Sequence, residues 1–220
     1  MILAIDTATR VVSLALADHR SVLAEHTWHT ANNHTVEVAP AIEQILSGAT
    51  VEVRQLTAIA VAIGPGSFTG VRIGLGLAKG LALAHDKPLI GVRTLDIIAR
   101  GVPLFDGRLI AVIQAGRGRV IWATYLSGPQ GWETAEAGSV GTWEEMAAQA
   151  NDGDHVIGEI DQVGIDHLRR YRVEVGSPEQ NVRRAAWLAE IGWERWRQGR
   201  VDDPATLAPI YARQPTSGNG

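Results

Sequence analysis

The chain opens on three short apolar runs, in MILAIDTATRVVSLALADHRSVLAEHTWH, divided by Asp-Thr-Ala-Thr and by Asp18-His19-Arg20. Runs of strand length broken by turn-forming residues predict three antiparallel strands. NNHTVEVAPAIEQILSG follows, with asparagines suited to a helix N-cap, Glu37 in the first turn, apolar residues at helical spacing and a stop at Gly48. That pattern predicts a helix from Asn33 to Leu46 with Pro40 within its first two turns. LTAIAVAIGPG is a continuous apolar run ending at Gly-Pro-Gly, as in a strand covered on both faces. A glycine-rich helix from Gly70 to Ala84, a short strand at PLIGV and a helix from about Thr94 to Arg100 complete the first half.

Near Val102-Pro103 the pattern begins again. Strands at RLIAVIQAG, RVIWATYL and WETAEAGSV precede a helix at TWEEMAAQA and a strand at DHVIGE. The order of three strands, helix, strand and helix thus occurs twice, without any accompanying repeat of sequence. Helices from about Gln162 to Arg169 and from Glu179 to Arg197 come last, and PTSGNG has the composition of a disordered end. The expectation is an α/β protein of two similar lobes, residues 1–102 and 103–213, the second including the terminal helix, with a disordered tail over 214–220.

The chain's 220 residues, 45% hydrophobic with mixed charge, suit a soluble globular protein with a substantial core. The absence of cysteine excludes disulfides, thiolate metal sites and thiol nucleophiles. MILAIDTATR has no basic leader region, and no apolar run reaches bilayer length, so a cytoplasmic protein without membrane contact is expected. A net charge of −4 argues against autonomous nucleic-acid binding, which relies on displacing phosphate counterions. Positive charge does gather at Arg169, Arg170, Arg172, Arg183, Arg184, Arg195, Arg197 and Arg200, against five acidic residues between 165 and 200. Solvated helix faces account for most of that cluster, with direct tRNA recognition through Arg169 to Arg200 as the alternative.

GPGSFTGVRIGLGLAKGLALA, residues 64–84, invites a test as a nucleotide loop. A P-loop needs Gly-Lys followed by Ser or Thr, but Gly70 is followed by Val71 and Arg72. The dinucleotide fingerprint needs a third glycine where Thr69 or Lys79 stands. The helix is instead notable for being apolar almost all round, with only Arg72 and Lys79 marking a wet edge. One stripe holds Gly70, Gly74, Leu77, Ala78 and Leu81; another holds Ile73, Gly76, Gly80 and Ala84. Each interior glycine costs about 1 kcal/mol relative to alanine, so close approach of another backbone must offset the loss. That backbone belongs either to the helix from Asn33 to Leu46 or to another subunit.

In order and spacing, MILAIDTATRVVSLAL, VAIGPGSFTGVRIGLGLAKGLA, VIQAGRGRVIWATY and PATLAPIYAR resemble the bacterial TsaB (YeaZ) family over almost the whole chain. The resemblance implies the actin-like, Hsp70-like (ASKHA) ATPase superfold of two RNase H-like lobes. It also implies a non-catalytic partner subunit in the synthesis of threonylcarbamoyladenosine, the modified base beside the anticodon of tRNA. Its partners would be a TsaD-like paralogue, which holds the metal and transfers the threonylcarbamoyl group, and a TsaE-like ATPase. ATP and metal are expected in those subunits and no cofactor in this one; tRNA would be met through the complex. The family self-associates, and meets TsaD, through the two helices of the first lobe. Carried onto this chain, the interface candidates are Val36, Pro40, Glu43, Gly70, Val71, Gly74, Leu75, Ala78 and Leu81. The rival reading is a stand-alone ATP-binding or hydrolysing enzyme of the same fold.

Enzymes of that superfold hold nucleotide between lobes, with an aspartate near magnesium in the first-strand turn and a second acidic turn in the other lobe. Asp6, Thr7 and Thr9 stand at the first turn, yet Ala8 occupies a place that suits glycine, and Gln114 stands where relatives often carry aspartate. A metal-assisted phosphate reaction would lack a ligand there, leaving these residues as a structural turn or a remnant nucleotide contact. Gly64, Pro65, Gly66 and Ser67 are expected as a structural loop. A protease reading finds little support: HTVE at His34 has Val38 where a second histidine ligand would stand, and Ser67 lacks a Gly-x-Ser-x-Gly elbow. Trp187, Trp193 and Trp196 are expected to cement the last helix to the core.

Overall fold

The computed structural model describes residues 1–31 and 33–212. The expected disordered tail, 214–220, lies outside them. The chain forms two compact units, Met1–Ile97 with Arg183–Ile210, and a second built on Ile98–Val182.

In the first unit, β1 (Ile2–Asp6), β2 (Val11–Ala17) and β3 (Val22–His29) are antiparallel, while β4 (Ala58–Ala62) and β5 (Leu89–Val92) run parallel to β1, giving the order β3-β2-β1-β4-β5. Three helices complete it: α1 (His34–Gly48), α2 (Phe68–Ala84) and α3 (Thr94–Arg100), the last crossing into the second unit's first residues. Residue size alternates along the strands and sorts the helices. Leu3, Ile5, Leu14, Leu16, Ile59 and Val61 point to one face, where they pack with Val38, Ile42 and Ile45 of α1 and Leu75, Ala78 and Ala82 of α2. Ala4, Ala15, Ala17, Ala58, Ala60 and Ala62 point to the other. On this shallow face lies the terminal helix α6 (Ala185–Arg197), through Ala185, Leu188, Ala189 and Ile191, with Trp187, Trp193 and Trp196 packed at its margin. The tryptophans thus act as the sequence predicts.

The second unit repeats the first's topology. β6 (Arg108–Gly116), β7 (Arg119–Gly128) and β8 (Gly131–Thr142) are antiparallel, and β9 (His155–Gly158) and β10 (Glu174–Val175) extend the sheet in parallel, in the order β10-β9-β6-β7-β8. α4 (Trp143–Ala147) and α5 (Gln162–Leu168) help cover one face, with Trp143, Met146 and Leu168 against Ile110, Val112, Val120 and Trp122.

Three expectations are corrected. The boundary falls at residue 97 rather than 102. The terminal helix belongs to the first lobe, because its small apolar face matches the alanine face of that sheet. That helix also starts at Ala185, not Glu179, since Arg184 is held extended (φ −107°, ψ 133°) and the Ala185 N–H donates to Ser13 Oγ at 2.9 Å. Beyond α6 the chain becomes a strap along β5: the Asp202 N–H donates to the Leu89 carbonyl at 2.8 Å, Asp202 Oδ2 accepts the Gly91 N–H at 2.7 Å, and the Ile210 N–H donates to the Ile63 carbonyl at 2.7 Å. No helix among the described residues is long and apolar enough to cross a membrane.

A Cβ added at Gly192 would stand 2.8 Å from that of Ala60. Gly192→Val is therefore expected to lower stability by about 1–3 kcal/mol, read by urea unfolding, through overpacking under α6.

Candidate functional site

The β1–β2 turn sinks into a notch on α2. A Cβ at Gly70 would collide with the Thr7 carbonyl oxygen, and one at Gly74 with Thr7 Oγ1. The Thr7 hydroxyl donates to the Gly70 carbonyl at 2.7 Å, and His34 Nε2 lies 3.0 Å from the Thr9 carbonyl. The Gly64–Ser67 loop closes over the same turn: the Ser67 N–H donates to the Ala8 carbonyl at 2.6 Å, and Ser67 Oγ accepts the Gly70 N–H at 3.2 Å, capping α2. Gly64, at φ +98° and followed by a cis Pro65, lies against the Ile210 carbonyl of the strap. Residues Gly64 to Ser67 are thus held between the β1–β2 turn and the strap.

Asp6, Thr7 and Thr9 are all buried. Arg183 Nε donates to Asp6 Oδ2 at 2.6 Å, and Arg183 Nη2 reaches Thr9 Oγ1 at 3.0 Å and the Val11 carbonyl at 2.8 Å. Asp6 Oδ1 accepts the Ala8 N–H at 3.0 Å. The turn's polar groups point inward, and the partner that matters most, Arg183, is 177 residues away. Sequence reading placed Arg183 only in a loose basic cluster, because no local pattern couples it to Asp6.

In the second unit Gln114 does not stand alone. Its backbone N–H donates to Glu159 Oε2 at 3.0 Å, and its side-chain amide donates to Asp161 Oδ2 at 3.1 Å. Sequence reading missed both carboxylates, which the β9–α5 connection brings to the end of β6. Asp161 Oδ1 in turn caps α5 by accepting the Gly164 N–H at 2.8 Å. Among the described residues no group of three or more histidine, aspartate or glutamate side chains could hold a metal ion.

The interface candidates divide. Gly70, Val71, Gly74, Leu75 and Ala78 are buried within this unit, where the two glycines admit Thr7 and the other three fill the core. That corrects the expectation that this stripe meets a partner. The outward stripe is the other one: Gly76 and Gly80 are exposed with nothing within 4 Å of an added Cβ. On the same helix Leu83 is exposed and Leu81 half-buried, and on α1 Val36, Pro40 and Glu43 are exposed. A groove of about 610 Å³ lies beside the C-terminal part of α1, lined by Ala39, Ile42 and Leu46, by Val51 and Val53 beyond that helix, and by Leu81 of α2. Helical periodicity separates the two stripes but does not say which one the chain itself covers.

The arginine cluster falls in both units, and much of it is engaged. Arg183 binds Asp6, Arg184 binds Glu25, Arg195 Nη1 donates to the Gly91 carbonyl at 2.7 Å, and Arg169 lies 3.8 Å from Asp166.

A family model described as TsaD, tRNA N6-adenosine threonylcarbamoyltransferase, matches residues 22–177. The chain is 42% identical over 142 residues to the Escherichia coli tRNA threonylcarbamoyladenosine biosynthesis protein TsaB. That alignment covers 63% of this chain and 61% of the relative's length. The crystal structure of YeaZ from Pseudomonas aeruginosa superposes with a TM-score of 0.77 at 26% identity, over 96% of this chain and 98% of that one. At the level of fold alone, component A of (R)-2-hydroxyglutaryl-CoA dehydratase from Acidaminococcus fermentans matches with a TM-score of 0.52 at 10% identity, over 88% and 98% of the two chains. The fold is the actin-like one expected from the sequence.

Three of the helix glycines are expected to respond in opposite senses. Gly74→Ala overlaps the committed Thr7 hydroxyl and should lose about 1–3 kcal/mol, whereas Gly76→Ala and Gly80→Ala should each gain about 0.5–1 kcal/mol in urea unfolding of the isolated chain. A second expectation concerns Glu37, whose carboxyl is held below the usual carboxylate range by the Trp28 indole N–H, 2.9 Å away, and then by the Thr30 hydroxyl. The tie it makes from α1 to Trp28 of β3 is complete above the ordinary glutamate value of about 4.3 and is lost as pH falls through the lower folded value. The Trp28 indole resonance should therefore shift in acid, and Glu37→Gln should remove that titration.

Proposed function

Because the chain belongs to the TsaB (YeaZ) family, we propose that it is a non-catalytic, cytoplasmic partner subunit in the synthesis of tRNA threonylcarbamoyladenosine. In this reading it docks a TsaD-like paralogue, the subunit that carries the metal and the transfer chemistry, through the outward face of α1 and α2. A TsaE-like ATPase joins the pair, tRNA is bound by the assembly, and the chain pairs with itself when alone.

The observation that carries the reading is the pair Gly76 and Gly80. Each costs a helix about 1 kcal/mol relative to alanine, and neither is compensated within the unit, since no atom lies within 4 Å of where its Cβ would be. Gly70 and Gly74, on the same helix, are compensated by Thr7. Exposed glycines one turn apart let a partner backbone approach the helix axis closely, and Val36 and Leu83, each 69% exposed, give such a partner apolar surface to cover. The Escherichia coli relative, a tRNA threonylcarbamoyladenosine biosynthesis protein, supplies the pathway.

Capture of the TsaD-like paralogue from the same organism tests this. Gly76→Leu and Gly80→Leu should each weaken capture at least about tenfold, roughly 1.4 kcal/mol or more, with circular dichroism and Tm of the isolated chain preserved. Full capture by both folded variants would refute docking at this face.

A further inference from the structure

The closed turn at Asp6 supports an inference that does not depend on any partner. ATPases of the actin-like fold hold a magnesium nucleotide against an acidic first-strand turn, and the residues of this turn do not fit that group. Asp6 is fully buried, its Oδ2 accepts from Arg183 Nε at 2.6 Å, and its Oδ1 accepts from the Ala8 N–H. The Thr7 and Thr9 hydroxyls are turned to the Gly70 carbonyl and to Arg183, and the Ala8 carbonyl accepts the Ser67 N–H. The donors and acceptors that would face a phosphate or a hydrated metal are bonded to the protein itself.

We propose that Arg183 is a resident counter-cation: it supplies to Asp6 the positive charge that a divalent ion would bring, and so shuts this turn to divalent cations and nucleotide phosphates. Several features show that the guanidinium is built into place. Its side chain is 1% exposed, and its fork of donors also satisfies the Val11 carbonyl and Thr9 Oγ1, a geometry that a lysine ammonium cannot reproduce. The next residues dock in series: Arg184 pairs with Glu25, the Ala185 N–H donates to Ser13 Oγ, and the Ala186 N–H donates to Glu25 Oε1 at 2.9 Å. Two arginines directly before a helix oppose its positive N-terminal end. Asp6 and Glu25 remove that conflict by bringing one carboxylate to each. The cation therefore arrives with α6 and cannot leave without undocking it.

The test is a double-mutant cycle on the full chain, with thermal unfolding repeated in millimolar manganese(II) chloride and in magnesium ATP. Asp6→Asn and Arg183→Met should each lower Tm by about 10 °C, because each leaves a buried charge without its partner. The double variant Asp6→Asn/Arg183→Met should recover at least half of the loss. Neither manganese nor magnesium ATP should move the wild-type Tm. Additive losses in the double variant, or a stabilisation of the wild type by manganese or magnesium ATP that disappears in Asp6→Asn, would overturn the proposal. Should Arg183→Met fail to fold, the double variant decides: folding with a Tm near that of Asp6→Asn or above supports the pairing, and failure to fold refutes it.

Discussion

The first unit depends on a close approach that side chains would prevent. The β1–β2 turn lies directly on α2, with the carbonyl and hydroxyl of Thr7 occupying the space that Cβ atoms at Gly70 and Gly74 would fill. This contact draws Asp6 to zero exposure, and a carboxylate at that depth needs an internal partner. Arg183 provides it from the far end of the chain, which obliges the terminal segment to return to the first sheet. A steric feature of one helix, an electrostatic need at one turn and the path of Arg183–Ile210 are thus linked consequences of the same packing.

The two units share one strand order but solve coverage differently. In the first, alternation of large and small residues makes the sheet two-faced, with a thick aliphatic side for α1 and α2 and a thin alanine side for α6. In the second, α4 and α5 are short and rely on the rings of Trp122 and Trp143 to fill the layer. The doubled topology therefore persists through the strand order while the side chains that realise it differ, as expected where a fold repeats without a repeat of sequence.

Much of this was legible in the sequence because it is local. Alternation and apolar runs placed β1 to β9, the turn-forming residues placed the breaks, and the helix at Thr94–Arg100 has the predicted limits. The misreadings arose where a distant contact overrides a local preference. Residues 179–184 have a composition that a helix accepts, yet Arg183 and Arg184 are drawn out to Asp6 and Glu25, and α6 starts later. β10 has two residues, too few for alternation to register. Periodicity sorted the glycines of α2 into stripes, but only the position of Thr7 reveals that Gly70 and Gly74 belong to the interior and Gly76 and Gly80 to the outside. Likewise Gln114 read as a missing carboxylate, while Glu159 and Asp161 approach it from a connection forty-odd residues further on.

The strap that follows α6 has a consequence for how the molecule behaves among copies of itself. β5 ends the first sheet, and a bare terminal strand offers amide groups onto which another chain can add indefinitely. By placing Asp202 on Leu89 and Gly91, and Ile210 on Ile63, the polypeptide spends its own tail as a selvage along that border. Lateral growth from this margin is thereby forestalled, which leaves β3 as the edge of the first sheet that is still open to another strand.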